Sequence, residues 1–405
     1  MHSPSSLHPV LIVGGGLVGS SLAIALSRAG IPVALAEASA PGALPAVFDQ
    51  RNLSFAEATV NALTALAVLP GLRAPGAPIR AIQITRQGDF GRIWLHAGEY
   101  GREAFGQVVV ARDFGTALEA ALADCPQLTR YRPARFVGFG AQHADWREVR
   151  LAGDAGEQVL RARLVVAADG TGSAVRAALG IVTDEHDYQQ RLLVARLRAA
   201  QRPDGRAFER LTDHGPTAVL PRADGAYGLV HAVAEADADT VLALSDAAFL
   251  ERVQQVLGWR IGRLLQIGPR SAYPARQVVA RRVFDHRLAL VGNAAQTLHP
   301  IGAQGFNLGL RDALMLAELA AEAEDPGHPD LLHTWARQRA EDRQRTRLFS
   351  DGLARLTANR TAPMRLLRSV GLAALDRLPV LQTRLVAGAM GYRGQVPALC
   401  RSVMT

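Results

Sequence analysis

The sequence predicts an α/β protein: a dinucleotide-type βαβ domain, interrupted by an inserted β-sheet and followed by a helical tail. Three junctions carry the prediction. At each, an apolar run enters a glycine turn and a helix-like stretch follows: Val10–Val13 into Gly14-Gly15-Gly16, Arg163–Ala168 into Asp169-Gly170, and Arg287–Val291 into Gly292-Asn293. Between the second and third, residues 188–267 lose the helix-strand rhythm and strand-like pieces take over.

Gly14, Gly16 and Gly19 fit the spacing G-x-G-x-x-G after the first strand. Each has a separate physical reason: one makes the turn, one lets a pyrophosphate approach the backbone, one lets helix and strand pack closely. The helix then offers unpaired N–H groups and its positive dipole end to phosphate. A second strand, Ile31 to Glu37, ends in a carboxylate 21 residues after Gly16, placed for ribose hydroxyls. The glycine pattern leaves FAD and NAD both open.

The loop Ala38–Pro45 follows, and Asp49 to about Leu69 reads as helical, with Arg51 near its start. A cation there is unexpected from the dipole alone; a nearby anion or a solvent-facing arginine are the two readings. Residues 79–95 alternate as a hairpin around Gly88-Asp-Phe-Gly91, and Arg112 opens an amphipathic helix after the run from Val108. Residues 134–165 read as a meander. Asp169, at the end of the next strand, is either a carboxylate in the ligand crevice or a helix cap. A helix-like stretch is expected near 246–267, and another from Leu308 to about Glu322, with Gly305, Phe306 and Asn307 at its start. Its N–H groups suit a partly negative ring edge. His299 reads as a core or surface histidine, and with no Cys or carboxylate at ligand spacing no metal is expected. The expected division is a discontinuous dinucleotide domain (8–78, 104–182 and 275–330), a substrate domain (79–103 and 183–274) and a helical C-terminal region (331–405).

Composition narrows the class. A chain of 405 residues, 49% hydrophobic and 20% charged, is of ordinary globular type and long enough for two domains. The net charge of +8 is scattered, without the basic face and interleaved aromatics of a nucleic-acid binder, so no nucleic-acid partner is expected. Cys125 and Cys400 allow no disulfide framework. The N-terminus lacks a signal-peptide pattern, and no apolar run reaches the roughly 18–20 residues that span a bilayer. The expectation is a cytoplasmic protein, soluble or peripheral to the inner membrane. The tail from Leu331 spaces leucines helically with arginines between them, which suits either packing on the body or a bilayer surface.

Taken together, Gly14-x-Gly16-x-x-Gly19, Asp169-Gly170, and Gly292-Asn293 with Gln304-Gly305-Phe306-Asn307 resemble the class A flavoprotein aromatic hydroxylases. Within them, Gly292 to Ile301 and Gln304 to Asp312 are worded like the ubiquinone-biosynthesis monooxygenases, the 2-polyprenyl-6-methoxyphenol hydroxylase branch above all. The resemblance implies a Rossmann-like FAD-binding domain of para-hydroxybenzoate hydroxylase type, with an inserted β-sheet substrate domain and a helical C-terminal tail. It implies FAD rather than NAD as resident cofactor and NAD(P)H as transient co-substrate. O₂ would give a flavin hydroperoxide that hydroxylates a polyprenylated phenol. Carried over by position, Glu37 would hold the ribose, Arg51 and Arg112 would lie near FAD, and Asp169 would belong to the shared dinucleotide motif. Pro300 and Gly305–Asn307 would face the isoalloxazine ring. Most of the larger family has Asp at Asn293, bonded to the ribityl chain; Asn keeps the hydrogen bond without the charge. Gly302-Ala303 reverses the usual order before Gln304. No acid/base side chain is obligatory in such chemistry, and none is singled out.

Other functions stay open on sequence alone. The same fold could serve a soluble aromatic or the reduction of a prenyl chain. A flavoprotein scaffold in a ubiquinone-biosynthesis complex would bind FAD without turnover. A nicotinamide-binding sensor would leave Asp169-Gly170 and Gln304–Asn307 unexplained.

Overall fold

The computed structural model describes residues 7–358 and 361–401; residues 1–6, 359–360 and 402–405, including both ends of the sequence discussed above, lie outside the described residues. The first strand, Leu7–Val13, sits inside a sheet that has eight strands among the described residues and runs parallel to Val33–Ala36 on one side and to Arg161–Ala167 on the other. Leu128–Tyr131 and Leu288–Leu290 extend the parallel set outwards on the two sides. Helices cover one face of this sheet and the antiparallel meander the other, which is why its strands read as continuous apolar runs rather than alternating ones: Val10, Leu11 and Ile12 are all fully buried. The expected meander is Arg135–Gln142, Arg147–Gly153 and the first half of the Gly156–Ala167 strand, all antiparallel.

The inserted sheet has nine strands among the described residues. Its centre is Thr183–Ala199, Tyr227–Ala234, Gly215–Pro221 and Arg206–Thr212. The hairpin of Ala81–Arg86 and Arg92–His96 joins this sheet by pairing parallel to Arg206–Thr212, so two distant pieces of sequence form one layer. One face packs on the helix Asp246–Leu257 through Phe208, Val219, Leu229 and Val253. The other face turns towards the first domain.

Four local expectations are corrected. Asn52–Ala56 is a strand, not the start of a helix; it pairs with Gly106–Val110, and the helix begins only at Glu57. Phe55, fully buried, stacks edge-on against Phe114 at 4.9 Å, a tertiary contact that local periodicity does not show. The stretch 246–267 is helical only to Leu257: Gly258, at φ +64°, ends it and Leu264–Ile267 returns as a strand. The helix expected from Leu308 starts at Gln304. The boundary drawn at 274/275 falls inside the strand Ser271–Ala280, which continues the inserted sheet and also pairs with Gln296–Thr297.

The tail is helical as expected: Pro329–Ala358, Ala362–Arg377 and Pro379–Ala389. The first of these packs on Gln304–Ala321 through a fully buried ionic cluster. Arg339 donates to Asp312 (2.8 Å) and to Asp342, and Arg311 donates to Asp342 (2.8 Å). Gln296 and Trp335 donate to the Asp312 side chain and carbonyl at 2.7 and 2.8 Å. Every carboxylate there is held by several donors, the condition under which buried charge is tolerated. Through Gln296 the cluster buttresses the turn at Gly292-Asn293.

Candidate functional site

A cavity of about 800 Å³ lies between the carboxyl ends of the parallel strands and the open face of the inserted sheet. The three glycine junctions of the sequence meet on one wall, because Leu7–Val13, Gly156–Ala167 and Leu288–Leu290 are adjacent parallel strands. Ligands of open α/β sheets occupy this crevice.

The three motif glycines differ in what demands them. Gly14 has φ +107°, and a Cβ there would stand 2.5 Å from the Ala168 carbonyl oxygen. A Cβ on Gly19 would overlap the Gly14 carbonyl oxygen. At Gly16 the nearest heavy atom would be Val47 at 3.8 Å, so the protein itself leaves room. Gly16 lines the cavity and begins the helix Leu17–Arg28 with no side-chain cap, leaving N–H groups aimed outwards. Glu37 borders the same end: Gly15 and Ser39 N–H groups each donate to its carboxylate at 2.7 Å, fixing it while lone pairs remain. Asp169 lines the cavity, and it reaches the first turn of the helix Ala174–Ala178, whose N-cap is Ser173. Its Oδ2 accepts from the Val175 N–H at 3.1 Å, while Oδ1 is buried, without a hydrogen-bond partner, in a residue that lines the cavity.

At the inner end, Gly292, Asn293, Pro300, Gly305 and Phe306 line the cavity. The helix Gln304–Ala321 also starts without a side-chain cap, on Ala303 at φ +52°. Gly302 is left-handed as well, so the reversed Gly-Ala pair places a Cβ where the backbone favours glycine. A Cβ on Gly305 would meet nothing within 4 Å. Asn307 does not line the cavity: it is buried, donates to Ser54 and Ala303 carbonyls (3.0 and 2.8 Å) and accepts from Ala56 N–H (2.9 Å). Its role is to clamp the strand Asn52–Ala56 to the loop before the helix.

Arg51 lines the cavity, and the anion beside it is Asp49. Arg51 Nη2 donates to Asp49 at 2.7 Å and its guanidinium lies 4.0 Å over the Tyr273 ring. Burial acts to raise the Asp49 pKa, but hydrogen bonds from Arg51 and Tyr273 hold it below the usual range. Arg112 is exposed on the first turn of Ala111–Ala123 and is not part of the cavity wall. Arg135, which the sequence did not single out, is in the wall near Glu37.

The opposite wall belongs to the inserted sheet. Ile82, Ala207, Ala218, Leu220 and Val230 make it apolar, with Glu209 among them. Sequence reasoning missed Glu209; only strand pairing reveals that its face is the cavity. His299 is a core histidine: Ile301 N–H donates to Nδ1 (3.2 Å), leaving Nε2 to donate to Gln190 (3.2 Å), and burial lowers its pKa to about 4. Among the described residues, no cluster of His, Cys, Asp or Glu is placed to hold a metal.

These features fit FAD. Two uncapped helix starts, a glycine gap at Gly16, the fixed Glu37 carboxylate and the orphaned Asp169 oxygen offer the donors and acceptors that a dinucleotide needs. The fold and cavity define a class A flavoprotein hydroxylase. The chain belongs to the FAD binding domain family, whose profile matches residues 8–350. It is 34% identical over 395 residues to the ubiquinone hydroxylase UbiL of Rhodospirillum rubrum, covering 96% of this chain and 91% of that one. The 3-demethoxyubiquinol 3-hydroxylase of Escherichia coli is 28% identical, with 94% and 98% covered. Among solved structures, p-nitrophenol 4-monooxygenase PnpA from Pseudomonas putida superposes with a TM-score of 0.77 at 18% identity, over 96% of this chain and 99% of that one. PqsL from Pseudomonas aeruginosa gives 0.75 at 20%, over 91% and 99%. The protein is an FAD-dependent monooxygenase.

Proposed function

We infer that the protein hydroxylates the ring of a polyprenylated phenol in ubiquinone biosynthesis, consuming NAD(P)H and O₂. The observation that carries this reading is the single cavity that joins the dinucleotide wall to an apolar sheet face. The relatives named as ubiquinone and demethoxyubiquinol hydroxylases agree with it. When bound, FAD supplies the redox chemistry, taking electrons from NAD(P)H and activating O₂. The chain's own part is to bind, orient and exclude water. Gly16 and the first turn of Leu17–Arg28 would receive the pyrophosphate, Glu37 and Arg135 the adenosine end, and Asp169 and Asn293 the ribityl chain. Gly305 and Phe306 would border the ring, with Pro300 beside them. The apolar wall would press the phenol ring against the flavin and keep water out. A prenyl tail suits that wall, where a small charged aromatic would not.

The last two helices support a membrane-surface role. Leu366, Leu367, Val370, Leu378 and Val380 are each roughly half exposed or more, with exposed Arg377 among them in sequence and exposed Arg384 just after. No described helix is long and apolar enough to cross a membrane. Cosedimentation with anionic vesicles, lost in Leu367→Glu/Val380→Glu, checks this part.

The test of the whole reading is product analysis under ¹⁸O₂. NAD(P)H oxidation should depend on a prenylated phenol, and the product should gain one labelled hydroxyl. A phenol-independent oxidation without labelled product contradicts it.

A further inference from the structure

Glu209 sits where the fold has little reason to put a carboxylate. Its strand pairs with Gly215–Pro221 and with Ala81–Arg86, and the residues facing it directly are Ala218 and Ile84. Ala218 in turn faces Val230. Period-two alternation puts Ala207, Glu209, Ala218 and Leu220 on one face, and that face is the cavity. The residue is half-buried, and it lines the cavity. Among the described residues no side chain hydrogen-bonds or ion-pairs with it, unlike Arg86 on the next strand, which binds Asp89 and Asp213. Burial alone pushes its pKa up to about 7. Isolated in an apolar wall, such a group costs stability, and an unmatched cost at a site is a mark of function.

We propose that Glu209 is a catalytic base: its carboxylate accepts the hydrogen bond of the substrate's phenolic hydroxyl and takes that proton as the ring is hydroxylated. This rests on the phenol reading above. The O–H bond breaks and its electron pair enters the ring. The ring carbon forms its bond to one oxygen atom of O₂, and the other atom leaves as water. NAD(P)H supplies the two electrons through the flavin. The carbon then loses its own proton to restore aromaticity, and Glu209 returns its proton to the first oxygen or to solvent. A carboxyl that titrates near neutrality suits this duty. Glu37, Asp169 and Asp49 do not compete for the role, since they belong to the dinucleotide wall or to Arg51 and already hold donors.

The experiment compares wild type, Glu209→Gln and Glu209→Leu as FAD-loaded full-length proteins, with 2-farnesylphenol and a ring-fluorinated analogue of lower pKa. FAD content and thermal midpoint are read in parallel. The expected result is a loss of about 100-fold or more in turnover of 2-farnesylphenol in both variants, with FAD content unchanged and a higher thermal midpoint for Glu209→Leu. The defect should shrink at least tenfold on the fluorinated phenol, which needs no base when it is already ionised. A purely structural role would lower both substrates equally. Turnover within threefold of wild type, or an equal loss on both phenols, overturns the assignment. A wild type that neither binds nor hydroxylates either phenol overturns the substrate reading, and the inference falls with it.

Discussion

The two walls of the cavity are built by opposite means. The dinucleotide wall presents backbone: glycine turns, uncapped helix starts and a few carboxylate oxygens, brought together by three neighbouring parallel strands. The inserted-sheet wall presents side chains, nearly all apolar, from strands as far apart in sequence as Ala81–Arg86 and Tyr227–Ala234. A cofactor common to many chemistries can be held by backbone, whose demands are the same everywhere. A substrate must be told apart by side chains. The first kind of wall constrains which residues stand at fixed spacings; the second constrains only which face they point to.

The steepest test of the backbone wall is Gly19→Ala. Its Cβ would collide with the Gly14 carbonyl, and neither partner can move without unseating a strand or a helix. We expect a loss of about 4 kcal/mol or more, read by denaturant unfolding or as failure to accumulate folded protein. If the variant folds normally, the close strand–helix contact is not what fixes that wall.

Behind the same wall, Arg339→Met should cost about 3 kcal/mol, because Asp312 and Asp342 stay buried with fewer donors. Since Gln296 shares Asp312, the loss should also weaken FAD binding while leaving the inserted sheet intact. Hydrogen exchange resolved by segment checks where the loosening spreads.

On the substrate side, pH offers a graded probe. His299 and His231 are both held to about 4 by burial, below the ordinary 6.5 of the unfolded chain. Between those values the unfolded state binds more protons, so stability rises with pH. The contribution is complete above about pH 6.5 and is lost as pH falls towards 4, up to about 3 kcal/mol for each histidine. His299→Gln should flatten that slope measurably in urea unfolding from pH 7 to 4.5. An unchanged slope would place His299 outside the core.

The smallest effect expected is at Ala303. Glycine there relieves a left-handed Cβ at φ +52° but adds unfolded-state entropy, for a net gain of about 0.5 kcal/mol. A thermal midpoint about 1 °C higher, with FAD affinity unchanged, is the expected reading.

This contrast also explains what the sequence could show. Gly14, Gly16, Gly19 and Glu37 are legible because one βαβ unit contains them, and the unit's geometry ties residue type to spacing. Gly292 and Asn293 follow the same logic. Asn307 was legible as important, but its hydrogen bonds to Ser54 and Ala56 give it a clamping role no local pattern shows. Arg112 and Arg135 could not be ranked from sequence, since an arginine after a strand has no periodic mark of which way it points. Glu209 was invisible for a similar reason: in an alternating strand a glutamate reads as solvent-facing, and only pairing with Ile84 and Ala218 shows that its face is the cavity. The strand Asn52–Ala56 was hidden because its partner, Gly106–Val110, lies about fifty residues away.

The most direct measurement is FAD titration of the apo-protein by flavin fluorescence, with Gly16→Ala, Gly305→Ala and Glu209→Leu alongside wild type. A Cβ at Gly16 or Gly305 meets no close protein atom, so any loss of affinity there must come from the ligand. A two-walled site predicts that Gly16→Ala weakens FAD at least about 100-fold (about 2.7 kcal/mol) at an unchanged thermal midpoint. It predicts a smaller loss for Gly305→Ala and none for Glu209→Leu. Wild-type FAD affinity in Gly16→Ala, or loss of FAD in Glu209→Leu, would contradict the assignment of the two walls.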